Sequence, residues 1–194
     1  MALFVTQEPL PSFPMLDGEK VIIESAVRGE SSAFGLLYDH YQPKIYRVIG
    51  VKVARREEAE DLTHQVFLSA WQSIGSYKDV GYPFSSWLYR IARNQVIDHY
   101  RTRKVSVGLD EVDPNLFATE SHESLAHERF ELDRVLAAIR RLKPEYQDVI
   151  MMRFVEDLPV RDVALAIDKS EGAVKLIQHR ALKQLKDILA SEPN

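Results

Sequence analysis

From Val105 to Leu125 the chain reads VSVGLDEVDPNLFATESHESL, and here a helical pattern that runs through most of the sequence stops. The segment has no apolar period and contains Gly108 and Pro114. It carries Asp110, Glu111, Asp113, Glu120 and Glu123 with no Lys or Arg. A stretch of this kind buries too little apolar surface to offset the entropy of ordering it. It therefore predicts a linker between two separately packed parts, which limits the fold more than any other feature. Residues 1–16, with Pro9, Pro11 and Pro14, read as a flexible arm. Residues 17–104 and 126–194 read as the packed parts. Neither contains a convincing run of strand alternation, and Val105 to Val107 is too short to count. The expected fold class is all-α: two small helical domains joined by a flexible acidic linker.

Within 17–104 the apolar residues fall at helical spacing. Asp17 is a plausible N-cap for a short helix carrying Val21, Ile22 and Ala26 and ended by Gly29. Ser31 or Ser32 would cap a second helix with Phe34, Leu37, Tyr38 and Tyr41, continued past Pro43 by Ile45, Val48 and Ile49. Residues 57–74 predict a third, with Leu62, Val66, Phe67, Ala70 and Trp71 on one side. GSYKDVGYP is a loop by its Gly and Pro content. A fourth helix follows through WLYRIARNQVIDHYRTRK. In the second part, Phe130, Val135, Leu136, Ile139 and Leu142 make one stripe. Pro144 opens the next helix, and PVRDVALAI and SEGAVKLIQHRALKQLKDIL form a closing pair.

Composition removes several kinds of chemistry. The 194 residues include no cysteine, which excludes disulfides, thiol nucleophiles and Cys-ligated zinc. The N-terminus has no basic region followed by an apolar run, so no signal peptide is expected, and no run approaches the roughly 20 apolar residues of a membrane span. We expect a cytoplasmic protein with no membrane insertion. The six histidines are spread out and form no metal-ligand pattern. There is no Gly-rich phosphate loop and no supported nucleophile–base arrangement. The expectation is no catalytic residues, no cofactor and no metal.

The positive signal lies in two helices. At about 100° per residue, Phe84, Leu88, Ile91, Gln95 and His99 share one side of the fourth helix. Arg90, Arg93, Asn94, Arg101 and Lys104 fall within roughly one-third of the circumference opposite. The whole chain has a net charge of −4, so this stripe is a local concentration of positive charge. A phosphate backbone is the matching partner, because each neutralised phosphate releases counterions. Asn94 could read a base edge, and Tyr82, Trp87, Tyr89 and Tyr100 could stack on unpaired bases. The same stripe also fits an ordinary solvated helix face.

In the closing pair, Val160, Val163, Ala164 and Ile167 make the first helix. Asp168 and Lys169 make the turn, and Ser170 is a natural N-cap for the second helix. Ala173, Val174 and Ile177 pack back, while Lys175, Gln178, His179 and Lys183 are candidates to face outward. A small residue, a short turn and a capped basic helix describe a DNA-binding helix-turn-helix, against the alternative of any helical hairpin. Asp61 and Glu60 could simply offset the dipole of the third helix.

Taken together, AEDLTHQVFLSAW, FSSWLYRIARNQVIDHYRTRK and LKPEYQDVIMMRFVEDLPVRDVALAIDKSEGAVKLIQHRALKQL resemble, in that order, the core-binding helix, the −10 and melting helix and the −35 domain of the sigma-70 family. The resemblance is to its extracytoplasmic-function group of sigma factors. It implies a transcription initiation factor that binds core RNA polymerase, directs it to promoters and promotes strand opening. It implies that Asp61, with His64 and Gln65, contacts the clamp coiled coil of the largest polymerase subunit. Trp87, Arg90, Arg93, Asn94, Arg101 and Lys104 would meet −10 DNA, including the melted non-template strand, with Asp98 steering Arg101. Ser170, Lys175, Gln178, His179, Arg180 and Lys183 would meet duplex −35 DNA. The linker would thread the polymerase near the active site and RNA exit path. An anti-sigma factor is a further implied partner. His64 and Gln65 stand where the family usually has Gln and Glu, Asp168 replaces the usual turn Gly, and Ile177 and Gln178 replace a frequent Arg-Leu pair. The rival readings are a free-standing helix-turn-helix regulator and an enzyme acting on nucleic acid.

Overall fold

A computed structural model describes residues 16–53, 55–78, 83–102 and 126–191, with side chains in the last stretch from Leu132 onward. The described residues form helices and no strand. The order is α1 (Glu19–Val27), α2 (Ser31–Gly50), α3 (Arg56–Ser73) with a 3-10 turn at Ile74–Ser76, and α4 (Phe84–Thr102). Then come α5 (Ala126–Arg140), α6 (Pro144–Ile150) continuing into a π-helical turn at Met151–Val155, α7 (Val160–Ile167) and α8 (Glu171–Ser191). The expected arm up to Met15, the linker and Tyr82 lie outside the described residues.

Helix ends follow local chemistry, with two differences from the sequence reading. Asp17 does not cap α1; Gly18, in a left-handed conformation at φ 70°, holds that position. Glu30 rather than a serine precedes α2. At the other end of α1, Gly29 takes φ 91°, and the Glu30 N–H reaches back to the Ser25 carbonyl at 3.1 Å. That is the backbone solution for orphan carbonyls at a helix end, and glycine makes it cheap. Pro43 sits inside α2, and the helix carries on past it as the apolar pattern predicts.

In the N-terminal region α1 packs on α2, α2 on α3, and α3 on α4. Leu37, Ile45, Ile49, Val66 and Leu88 are fully enclosed at its centre. Each such side chain contributes about 1.5–3 kcal/mol by leaving water. In the C-terminal region α8 packs against α5, α6 and α7 around Val149, Met151, Met152, Val163 and Val174. The side chain of Gln147 donates to the carbonyls of Arg140 (2.9 Å) and Leu142 (3.1 Å), satisfying the end of α5 from inside the core.

The two regions do not stand apart. α4 lies along α7, and the buried apolar residues of both regions form one contiguous cluster. Their contact is also ionic. Arg47 of α2 meets Glu156 in a two-pronged pair, Nε to Oε1 at 3.0 Å and Nη2 to Oε2 at 3.1 Å, and the Glu156 side chain is only 1% exposed. Lys52 lies 2.9 Å from Asp148 and donates to the Pro144 carbonyl at 3.2 Å.

Candidate nucleic-acid interface

α4 is buried over a wider arc than its sequence predicts. Phe84 and Leu88 are enclosed as expected, and Gln95 donates to the Ser69 hydroxyl of α3 at 2.9 Å. Tyr89, Ala92 and Val96 are buried too, because a second side of the helix faces the C-terminal region. Tyr89 is 1% exposed and cannot stack on a base as the sequence suggested. Burial beside Glu156 pushes its hydroxyl well above the usual tyrosine range. Trp87 is half-buried and packs on Tyr77 and Phe84, with ring centroids 5.3 Å from each.

The exposed arc of α4 holds Arg90, Asn94 and Arg101. Asp98 lies 3.0 Å from Arg101, one turn apart as the spacing predicts. Arg93 stands at the margin of this arc, with its Nε 3.5 Å from Asp148 of α6. Lys104 lies outside the described residues.

The helix-turn-helix forms as read. Asp168 ends α7 at φ 57°, ψ 53°, a left-handed position that Asp tolerates better than most side chains. The Ala173 N–H donates to the Ser170 hydroxyl at 3.2 Å, so Ser170 caps α8. Lys169 meets Glu145 at 2.8 Å and ties the turn to α6. Val174, Ile177 and Ala181 are buried. At 100° per residue the row opposite them is Lys175, His179, Lys183 and Lys186, all exposed, with Arg180 on its shoulder. Gln178 is partly covered and accepts from Arg153 Nε at 3.3 Å, which makes it a bracing group within the domain.

This layout predicts a graded response to substitution. Lys175 lies in the first turns of α8, the end that enters a major groove in this motif. Lys175→Ala should weaken duplex binding and shift sequence preference. Arg180→Ala should weaken binding evenly on all sequences and lower the salt slope by about 1. Lys186→Ala, four turns from Ser170, should change little. Affinity against salt on a selected and a scrambled duplex checks the order; a dominant Lys186 would show the helix seated the other way round.

A third face lies on α3. Asp61, His64 and Gln65 are exposed, while Leu62, Thr63, Val66 and Phe67 are buried between them. The acids in the first turn of α3 are Glu57 and Glu58, and Glu60 is held by Arg56 at 2.8 Å. Asp61 lies a turn further on, beyond the reach of a dipole-offsetting role. Leu68 and Trp71, 57% and 36% exposed, extend the same face. Helical spacing from Asp61 places Leu68 on this face; the apolar pattern sends Trp71 inward, yet about a third of it is exposed.

The residues that sequence reasoning missed are Lys52, Asp148, Arg47 and Glu156. Glu156 is buried, which raises its carboxyl above the usual range, while the guanidinium of Arg47 pulls in the opposite direction. Among the described residues no helix is long and apolar enough to cross a membrane.

Comparison with known proteins adds to this geometry. Residues 37–105 match the family model Sigma-70 region 2, and residues 132–185 match Sigma-70, region 4. The chain is 37% identical over 175 residues to the ECF RNA polymerase sigma factor BldN of Streptomyces coelicolor, covering 88% of this chain and 66% of that protein. It is 30% identical over 180 residues to the ECF RNA polymerase sigma factor SigW of Bacillus subtilis, covering 86% of this chain and 96% of the relative. Among solved structures, CnrH in complex with the cytosolic domain of CnrY superposes with a TM-score of 0.70 at 22% identity, covering 91% of this chain and 100% of that one.

Proposed function

Since the chain belongs to the sigma-70 family, in its group of ECF RNA polymerase sigma factors, and so works as an alternative sigma factor rather than as a free-standing helix-turn-helix regulator, we propose that its three exposed faces divide the work of initiation. Asp61, His64 and Gln65 on α3 engage the clamp coiled coil of core RNA polymerase. Arg90, Arg93, Asn94, Arg101 and Lys104, with Trp87 beside them, engage the −10 element and its melted non-template strand. Ser170, Lys175, His179, Arg180 and Lys183 engage the duplex −35 element, with Gln178 braced behind them. The parts correspond to residues 17–104 and 126–194, joined through 105–125. The chemistry belongs to the polymerase, so this chain is a specificity factor and not an enzyme. It acts in the cytoplasm, where an anti-sigma factor is its proposed regulator.

The observation that carries the division is the sorting of charge. In a chain of net charge −4, α4 carries Arg90, Arg93 and Arg101 against one acid, Asp98, and α8 carries Lys175, Arg180, Lys183 and Lys186 against Glu171 and Asp187. By contrast, α3 carries Glu57, Glu58, Glu60 and Asp61 against one Arg56, and its exposed face adds His64, Gln65 and apolar area. Phosphate attracts the first two faces, and protein fits the third. The test is transcription in vitro with core polymerase and parent or Asp61→Lys protein. The reversal should weaken core binding by on the order of 1–3 kcal/mol, because a misplaced charge at an interface is repelled. The circular-dichroism melt should stay at the parent value, since Asp61 is exposed. Unchanged core affinity with a normal melt would remove α3 from the polymerase contact.

A further inference from the structure

Ser86, Trp87 and Arg90 fall on one side of α4 at helical spacing. With Tyr77 and Lys78, which follow the 3-10 turn, they form one wall of a cleft of about 520 Å³. The other wall is Ala164 and Leu165 of α7 with the turn residues Asp168, Lys169 and Ser170. Its volume lies within the roughly 300–1,000 Å³ of small-molecule sites. Contact with a duplex surface requires no such cleft.

The lining combines three kinds of chemistry. Trp87 is fixed by packing on Tyr77 and Phe84, and Ala164 and Leu165 supply apolar wall opposite it. Lys78 and Arg90 are exposed, and neither makes a hydrogen bond or ion pair among the described residues. Lys169, by contrast, is held by Glu145 at 2.8 Å. Ser170 caps α8 at its hydroxyl, so the positive end of a 21-residue helix opens on the same space. Ser86 is 2% exposed, and its hydroxyl has no hydrogen-bond partner among the described residues. A buried hydroxyl without a partner is costly, and here it belongs to the wall of a cleft from which a partner can come.

We propose that this cleft binds a free nucleoside diphosphate or triphosphate. The base stacks on Trp87, and the phosphates are held by Lys78, Arg90 and the start of α8. The carboxylate of Asp168 accepts from a ribose hydroxyl or a base amino group, and the Ser86 hydroxyl gains the partner it lacks. Both halves of the ligand are needed. A nucleoside alone leaves the cations unused, and a bare anion meets Asp168 without a compensating contact. The site goes beyond the assignment of α4 and α8 to promoter DNA and does not depend on it. Where that assignment also holds, Arg90 and Ser170 are shared, so the nucleotide and DNA compete for them and the cleft is an effector site.

The experiment titrates the full chain with ADP and with GDP by calorimetry, in EDTA and without polymerase or DNA, so it is read apart from the sigma-factor assignment. Adenosine and inorganic pyrophosphate probe each half of the ligand alone. One nucleoside diphosphate per chain is expected, with adenosine and pyrophosphate each bound at least about tenfold more weakly. Lys78→Ala and Arg90→Ala should each weaken ADP about three- to tenfold and leave adenosine unchanged. Trp87→Ala should weaken ADP and adenosine alike and leave pyrophosphate unchanged. Ser86→Ala should weaken ADP while the melt of the free chain holds or rises, since the lost hydroxyl has no partner there. Lys20→Ala, which removes an exposed cation from α1, should bind ADP as the parent does. Lys78 and Arg90 are exposed, so their variants keep the test open if Trp87→Ala folds poorly. Absence of saturable ADP and GDP binding at millimolar concentration would overturn the proposal. So would pyrophosphate bound as tightly as ADP, or Lys78→Ala and Arg90→Ala behaving as Lys20→Ala does. A short oligothymidine strand is the last probe: if it binds and ADP does not, the cleft takes a nucleotide of a strand and the proposal fails.

Discussion

Replacing Arg47 with leucine is expected to cost about 3–5 kcal/mol of stability, far more than the loss of an exposed ion pair, which is worth about 0–1 kcal/mol. The reason is the partner left behind. The Glu156 side chain is 1% exposed and receives two charge-assisted hydrogen bonds from Arg47. Without them a carboxylate remains in a buried site whose dehydration already raises its pKa. Lys44, whose charge also acts on Glu156, offsets a part of this and places the expected cost toward the lower end. The pair joins α2 to the segment after α6, so its loss should also uncouple the regions. One urea transition in the parent should become two in Arg47→Leu. The double variant Arg47→Leu with Glu156→Leu should recover most of the loss, because an apolar pair of similar size carries no dehydration penalty. A single-variant loss below about 1 kcal/mol would mean that the seam is wet and the pair screened.

That seam is also what sequence reading did not reach. Helices were legible because their apolar residues recur at helical spacing and because their ends carry chemistry that acts locally. Pro144 opens α6, Ser170 caps α8 and Asp168 takes the left-handed turn, each within a few residues of its effect. Periodicity, however, reports only how much of a helix is apolar. α4 is buried on one side by α3 and on another by the C-terminal region, and the second burial uses Tyr89 and Arg93, residues that a two-faced reading assigns to solvent. Asp148 and Gln147 occupy the core of α6 although both are polar, since each finds a partner far along the chain or at the end of the preceding helix. No local rule pairs Arg47 with Glu156 across 109 residues. The exposed site residues were legible for the opposite reason. Arg90, Asn94, Lys175 and His179 face outward by the same arithmetic that sends Leu88 and Val174 inward.

Asn94→Ala is the second large effect expected, and it should appear in strand opening rather than in folding. Asn94 is exposed in the interior of α4, eight residues from the end of a helix that closes at Thr102 with side-chain bonds of its own. It has no capping duty, and alanine is the better helix former by a few tenths of a kcal/mol. The variant should therefore melt at the parent temperature or slightly above it. An amide can both donate to and accept from a base edge, and such a contact discriminates by about 1–3 kcal/mol, or roughly 5- to 150-fold in an equilibrium. Open-complex formation with core polymerase should fall by that factor. The affinity of the free chain for duplex DNA, and its salt slope, should not change, because no charge is lost. Arg90→Ala should give the complementary pattern: a shallower salt slope by about 0.9 and a loss shared by all sequences. Permanganate reactivity of promoter thymines reports the opening directly. If Asn94→Ala opens the promoter as fully as the parent while Arg90→Ala weakens it, the role of α4 is to hold the backbone, and the base must be read by another group on the same exposed arc.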